Sequence, residues 1–235
     1  MKTLIKSLIA MAAMASGCAH AHYLWIEPGD TETRLFFGEP DVLLKEKSPG
    51  KLDGIKSPQA FTPDDHGKWK PVALARTADS FSIAGNKASS IAVKEESLEV
   101  RDLSKHGLGL AKSNYYARYG AQSETAAALL ALDIQPAGPN GYTLTYRGAP
   151  LAGAKLQVIA PNTWTQEHST DDKGIVRINS PWRGQYVIHV VHVDRTPGEF
   201  EGKKFESLRN HFAYTFVKAD GADPGPAIPP NHPAE

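Results

Sequence analysis

Residues 184–194 read Gly184-Gln185-Tyr186-Val187-Ile188-His189-Val190-Val191-His192-Val193-Asp194. β-branched residues dominate; the set Tyr186, Ile188 and Val190 stays apolar until His192, and the other set is apolar around His189 with Val187, Val191 and Val193. A strand that is apolar on both sides is covered on both sides, so this stretch is expected at the centre of a packed sheet. Its neighbours carry the same signal. Tyr142 to Tyr146 (YTLTY) alternates, Gly148-Ala149-Pro150 makes a turn, and Ala154 to Ala160 (AKLQVIA) is a second strand. Asp171-Asp172-Lys173-Gly174 is a hairpin turn leading into Ile175 to Ile178, and His211 to Lys218 (HFAYTFVK) closes the series. Short strands with turns at this spacing point to an immunoglobulin-like or transthyretin-like sandwich.

The half before it is also β-rich. Strands are expected at Tyr23–Ile26, Arg34–Phe37, Pro71–Ala75, Ser80–Ala84 and Ser90–Lys94. Asp41 to Lys47 reads as a short helix with Asp41 as its N-cap. Lys51 to Lys70 is rich in turn residues, and Ala111 to Tyr119 (AKSNYYARY) carries three tyrosines. Leu132 to Gly141 (LDIQPAGPNG), with two prolines and two glycines, is the expected linker. The chain is therefore expected to be mostly β with little helix, as two packed β-sandwich modules. Residues 22–131 form an N-terminal β-rich domain and 142–218 an immunoglobulin/transthyretin-like module. A Pro-rich tail, 219–235, is expected to be disordered.

The start of the chain bears on its destination. Lys2 and Lys6 precede an apolar run too short to span a bilayer, and Ala19-His20-Ala21 fits signal-peptidase cleavage after Ala21. Ala15-Ser16-Gly17-Cys18 is a rival lipobox that would anchor the chain through a lipidated Cys18. Both readings export the chain, and the periplasm is the expected location. Cys18 is the only cysteine, so the chain from His22 onward has no thiolate and no disulfide. Charge is balanced, 26 basic against 26 acidic residues, and no basic patch points to nucleic acid.

Nine histidines are more telling than the charge. Cleavage after Ala21 leaves His22 with a free α-amine, and amine and imidazole of one residue can chelate one metal ion, a donor pair suited to copper or nickel. His192 and Asp194, two apart on a strand, share a face at its end. Asp194 either ligates a metal directly or orients His192. His211 approaches His192 if the last strand pairs with 184–194, and the long intervening loop 195–208 is of a kind that carries function. His22, His192, Asp194 and His211 are thus the candidate metal ligands. His189 points to the other face and reads as a hydrogen-bonded core or interface histidine. His66 and His168 read as solvent-facing, His106 before Gly107 reads as a helix C-terminal residue interacting with the dipole, His232 in the tail reads as solvated or a loose metal contact, and His20 leaves with the leader. Trp25 reads as core or as a wall of the N-terminal site. Tyr115, Tyr116 and Tyr119 read as packing or a pocket lining. Glu27 and Glu39 are oxygen ligands only if folding brings them close. Nucleophile elbow, Walker loop, H-E-x-x-H and dinucleotide motifs are absent, which favours binding over hydrolysis.

His22-Tyr23-Leu24-Trp25-Ile26-Glu27-Pro28, Leu35-Phe36-Phe37-Gly38-Glu39, Tyr115 to Gly120, Gly184 to Ile188, His192-Val193-Asp194, Pro197-Gly198-Glu199 and Phe212 to Val217 together resemble an uncharacterised bacterial periplasmic family labelled as the NikM-like periplasmic component of nickel/cobalt transport. The block Gly148 to Ile188 is similar to transthyretin-like modules of many exported proteins. The resemblance implies a periplasmic β-sandwich protein of transition-metal uptake or handling, with nickel, cobalt or copper as the ion. An inner-membrane metal transporter or an outer-membrane receptor would be its partner. Two other functions fit the residues: an envelope adaptor whose histidines are incidental, and a copper-dependent oxidase built on the His22 chelate.

Overall fold

A computed structural model describes residues 22–84, 90–121 and 129–231. The leader with Lys2, Lys6, Cys18 and His20, and His232 in the tail, lie outside the described residues. The amino-terminal half gives β1 (Tyr23–Glu27), β2 (Thr33–Glu39), β3 (Leu44–Lys45), β4 (Gln59–Pro63), β5 (Trp69–Val72), β6 (Leu74–Arg76), β7 (Phe81–Ile83), β8 (Ser90–Glu95), β9 (Arg101–Asp102) and β10 (Leu110–Gly120). The carboxy-terminal half gives β11 (Leu132–Pro136), β12 (Gly141–Tyr146), β13 (Ala149–Pro150), β14 (Lys155–Ile159), β15 (Thr165–Ser169), β16 (Ile175–Arg177), β17 (Gly184–Asp194), β18 (Gly198–Phe200), β19 (Lys203–Phe205) and β20 (Ser207–Lys218). The helical content of the described residues is three short 3-10 segments. Among the described residues no helix is long and apolar enough to cross a membrane.

One nine-stranded sheet organises the chain, in the order β15-β14-β17-β20-β10-β8-β4-β5 with β9 also on β10. β17 lies inside it, as its two apolar faces require. β10 and β20 pair in parallel from Ala111 opposite Ser207 to Tyr119 opposite Thr215, while β17 and β20 pair antiparallel along the whole of β17. The halves on either side of residues 132–141 therefore share a sheet, and the strand that joins them is the tyrosine-bearing segment 110–120. Residues 132–141 are not a linker. Leu132–Pro136 is β11, in register with β12, and Asp133 within it is buried against Arg118.

Side-chain parity sorts the core onto two faces. Tyr116, Tyr186, Ile188, Val190, Phe212, Tyr214 and Phe216 pack under the small sheet β11-β12-β13-β16, against Leu132, Ile134, Tyr142 and Leu144. Their neighbours in sequence, Tyr115, Ala117, Val187 and Ala213, face the other way, under the sheet of β1, β2, β3, β6 and β7. The molecule is a β-sandwich with the nine-stranded sheet as the shared layer.

Other expectations need correcting. Asp41 to Lys47 is not a helix: Pro40–Val42 makes one 3-10 turn, and Leu43, at φ 55°, ends it. The chain then runs back along β2 as β3, with Glu46 N–H donating to the Phe37 carbonyl at 2.9 Å. The turn-rich segment 51–70 holds β4 and the start of β5, and the loop 195–208 folds into the β18–β19 hairpin. The tail from 219 to 231 forms no strand but is anchored: Arg183 meets Asp223, and the Asn231 amide donates to the Val42 carbonyl at 2.7 Å. A main-chain bridge at Ala222 holds it too, with Arg183 N–H donating to the Ala222 carbonyl at 3.0 Å and Ala222 N–H to the Pro181 carbonyl at 2.9 Å; its prolines withhold the N–H donors a longer ladder would need.

Candidate functional site

His22 sits one residue ahead of β1. The β1–β2 register sets Tyr23 opposite Gly38, which brings His22 to the level of Glu39. Gly38 makes this corner feasible: at φ 149°, a Cβ there would lie 2.1 Å from the Leu44 carbonyl oxygen. The tight return delivers Glu46 to the other side of the ring. His22 Nδ1 lies 2.9 Å from Glu39 Oε1, while Nε2 contacts Glu46 Oε1. Lys51 Nζ reaches the same Glu46 oxygen at 3.1 Å. The His22 side chain is 20 % exposed, against 9 % for Glu39 and 3 % for Glu46. Burial pushes the Glu46 carboxyl up, but hydrogen bonds from His22 and Lys51 outweigh it and hold it below the ordinary carboxylate range. The pair borders a cleft of about 330 Å³ lined by His22, Phe37, Lys51, Ile55, Arg101 and Tyr115. The Phe37 ring lies 5.4 Å from the imidazole.

His192 and Asp194 share a face, as their spacing demands, but it is the other face of the sheet. The His192 ring lies 4.5 Å from Tyr146 of β12. Asp194 does not orient it. Asp194 accepts hydrogen bonds from Tyr146 Oη at 2.8 Å and from the Thr196 N–H at 2.9 Å, and Arg147 stands 3.3 Å away. Burial opposes ionisation of Asp194, and these donors override it and pull its carboxyl to about 2. Partial burial lowers the His192 pKa.

His211 belongs with neither. In the β17–β20 register Val191 opposes His211 and Asn210 opposes His192, so His211 points to the His189 side. Four rings gather there. Tyr23 stacks on His189 at 3.6 Å, His189 lies 6.0 Å from His211, and His211 stacks on Tyr115 at 4.6 Å. Tyr23 Oη, His189 Nε2 and both nitrogens of His211 are buried with no hydrogen-bond partner among the described residues.

The four sequence-derived candidates therefore fall in three places, and His22 does not meet His192, Asp194 or His211. Glu39 does join His22, whereas Glu27 is held by Lys45 at 2.7 Å and Trp25 Nε1 at 2.9 Å. Trp25 is core. The tyrosines split: Tyr115 lines the His22 cleft and Tyr116 packs on the far face. His66 and His106 are exposed, and His168 is half-buried beside Gln166. Sequence reasoning missed Glu46, which in Leu44-Lys45-Glu46-Lys47 looks like ordinary surface charge. Among the described residues no three His, Cys, Asp or Glu side chains form a group that could hold a metal ion. A centre at His22 would need a main-chain donor to complete it.

No family model matches this sequence, and no curated protein or solved structure matches it.

Proposed function

We propose that the chain is a periplasmic protein that binds a transition metal ion, copper or nickel before cobalt, at His22, in the uptake or handling of that ion. One observation carries the reading: a buried carboxylate stands on each nitrogen of the His22 ring. Nδ1 is the nitrogen that closes a chelate ring with the α-amine of the same residue. Glu39 Oε1, 2.9 Å from it, is spaced as a second ligand would be, since two ligands about 2 Å from one ion at a right angle lie about 3 Å apart. The donor set is then the His22 amine, Nδ1 and Glu39, which suits Cu(II) or Ni(II). Glu46 on Nε2 is the outer partner that fixes the ring and raises its basicity. The amine becomes available on cleavage after Ala21. An inner-membrane transporter or an outer-membrane receptor would be the partner that passes or receives the ion.

The test is a calorimetric titration of protein starting at His22 with nickel and with copper. One ion should bind, binding should fall in acid as the ligands take protons, and His22→Ala and Glu39→Gln should each weaken it. Unchanged binding in His22→Ala overturns the proposal. The doubly paired His22 also favours a second reading, in which the ion pairs merely clamp the first strand of an envelope adaptor. That reading gains if the protein binds no ion and its thermal stability ignores added metal.

A further inference from the structure

Across the central sheet from His22 lies a cavity of about 400 Å³, within the range of small-molecule sites. Lys112, Asn114 and Tyr116, successive inward residues of β10, line it together with Phe200 and Phe205 of the β18–β19 hairpin. Lys112 is only 5 % exposed. Its ammonium donates to the Glu96 carbonyl at 2.6 Å and to Asn114 Oδ1 at 2.7 Å, and sits 4.1 Å over the Phe200 ring. Asn114 in turn donates to Asn210 Oδ1 at 3.0 Å. No carboxylate among the described residues forms an ion pair with this ammonium.

Lysine is almost never buried this deeply without a counter-charge, because desolvating an ammonium costs several kcal/mol. The carboxylates that line the cavity stand elsewhere. Glu96 takes the Tyr116 hydroxyl at 2.7 Å, lies 3.5 Å from Lys94, and is 42 % exposed. Glu199 is exposed. Arg147, at the mouth, is engaged with Asp194. The cavity is thus cationic at Lys112, aromatic along its walls, and of mixed charge at its rim. Burial lowers the Lys112 pKa, while Glu96, Glu95 and Glu201 pull it the other way without forming an ion pair with it.

We infer that this cavity binds a small organic carboxylate, its carboxylate on Lys112 and its apolar body against Phe200, Phe205 and Leu208. An ammonium has three donors, and two are used within the protein. The ligand would supply the missing negative charge, and the aromatic walls would exclude water around the pair. The HxD end of β17 then has a place: Asp194 fixes Tyr146 and Arg147 at the entrance.

The test uses the metal-free full chain, which keeps it independent of the His22 reading. Phenylacetate and its uncharged amide, phenylacetamide, are titrated in parallel by calorimetry. The acid should bind about tenfold or more tighter than the amide, the worth of a charged hydrogen bond. Lys112→Met should erase that preference, and Phe200→Ala should weaken both probes. If Lys112→Met does not fold, the Lys112 Nζ resonance of the wild type serves instead, and it should shift with the acid and not with the amide. Equal binding of acid and amide, or no binding of either at about 20 mM, overturns the inference.

Discussion

Acid should loosen this protein through His189 and His211 before it touches the carboxylates. Both imidazoles are buried between Tyr23 and Tyr115, and the charge of Arg209 opposes any further positive charge. Burial drives the His189 pKa down to about 3 and that of His211 well below its ordinary value. The folded chain therefore keeps both rings neutral, while the unfolded chain protonates them near pH 6.5. Their contribution is complete above pH 6.5 and is lost as the pH falls below it, at about 1.4 kcal/mol per unit for each ring. Between pH 8 and pH 5.5 the two together should remove about 3 kcal/mol of unfolding free energy. Glu46 and Asp194, both held below the ordinary carboxylate range, are still ionised at pH 5.5. The assay is urea unfolding at both pH values for the wild type and for His189→Phe/His211→Phe. Phenylalanine keeps a ring in each stack and removes the unpartnered nitrogens, so the variant should lose most of the slope. It should also be at least as stable at pH 8, because an unsatisfied buried polar group costs about 1–3 kcal/mol. A residual slope from His192 is expected in both proteins. The same pH dependence in the variant and the wild type would refute the reasoning.

Three other outcomes are expected. Asp133→Asn removes the counter-charge of Arg118, which it meets at 2.8 and 2.5 Å between β11 and β10; thermal or urea unfolding should register a loss of about 3–5 kcal/mol, and a loss under about 1 kcal/mol contradicts the role given to the pair. Gly174→Ala places a Cβ 2.8 Å from the Leu144 carbonyl oxygen and 2.9 Å from the Leu151 nitrogen at φ +72°; unfolding free energy should drop by more than about 1 kcal/mol, and no drop means the turn relaxes freely. Glu46→Gln should weaken Cu(II) or Ni(II) binding by about 10–100-fold, as loss of an outer partner does; unchanged affinity in a competition titration removes Glu46 from the centre.

The strands that alternate cleanly or run apolar on both faces were legible, β17 and β12 above all. β10 was not, although it joins the two halves, because Lys112, Asn114 and Arg118 occupy its inward positions and break the apolar pattern. β11 carried turn residues and a charge, and only the fold shows that Asp133 is buried against Arg118. The face shared by His192 and Asp194 followed from the period of two. Which of them His211 would meet depended on register, and a shift of one residue reverses the answer. Glu39 could be named but not placed. Glu46 was invisible, because its position beside His22 depends on a 3-10 turn ended by a left-handed Leu43, a backbone choice with no side-chain signature.

The most direct measurement compares native mass spectra of two untagged proteins loaded with copper or nickel: one beginning at His22 with a free α-amine, and the same protein acetylated on that amine. If the α-amine and the His22 ring form one chelate closed by Glu39, the first retains one ion and the second, whose amine is locked in an amide bond, does not. Equal retention by both, or none by the first, contradicts a metal centre at His22.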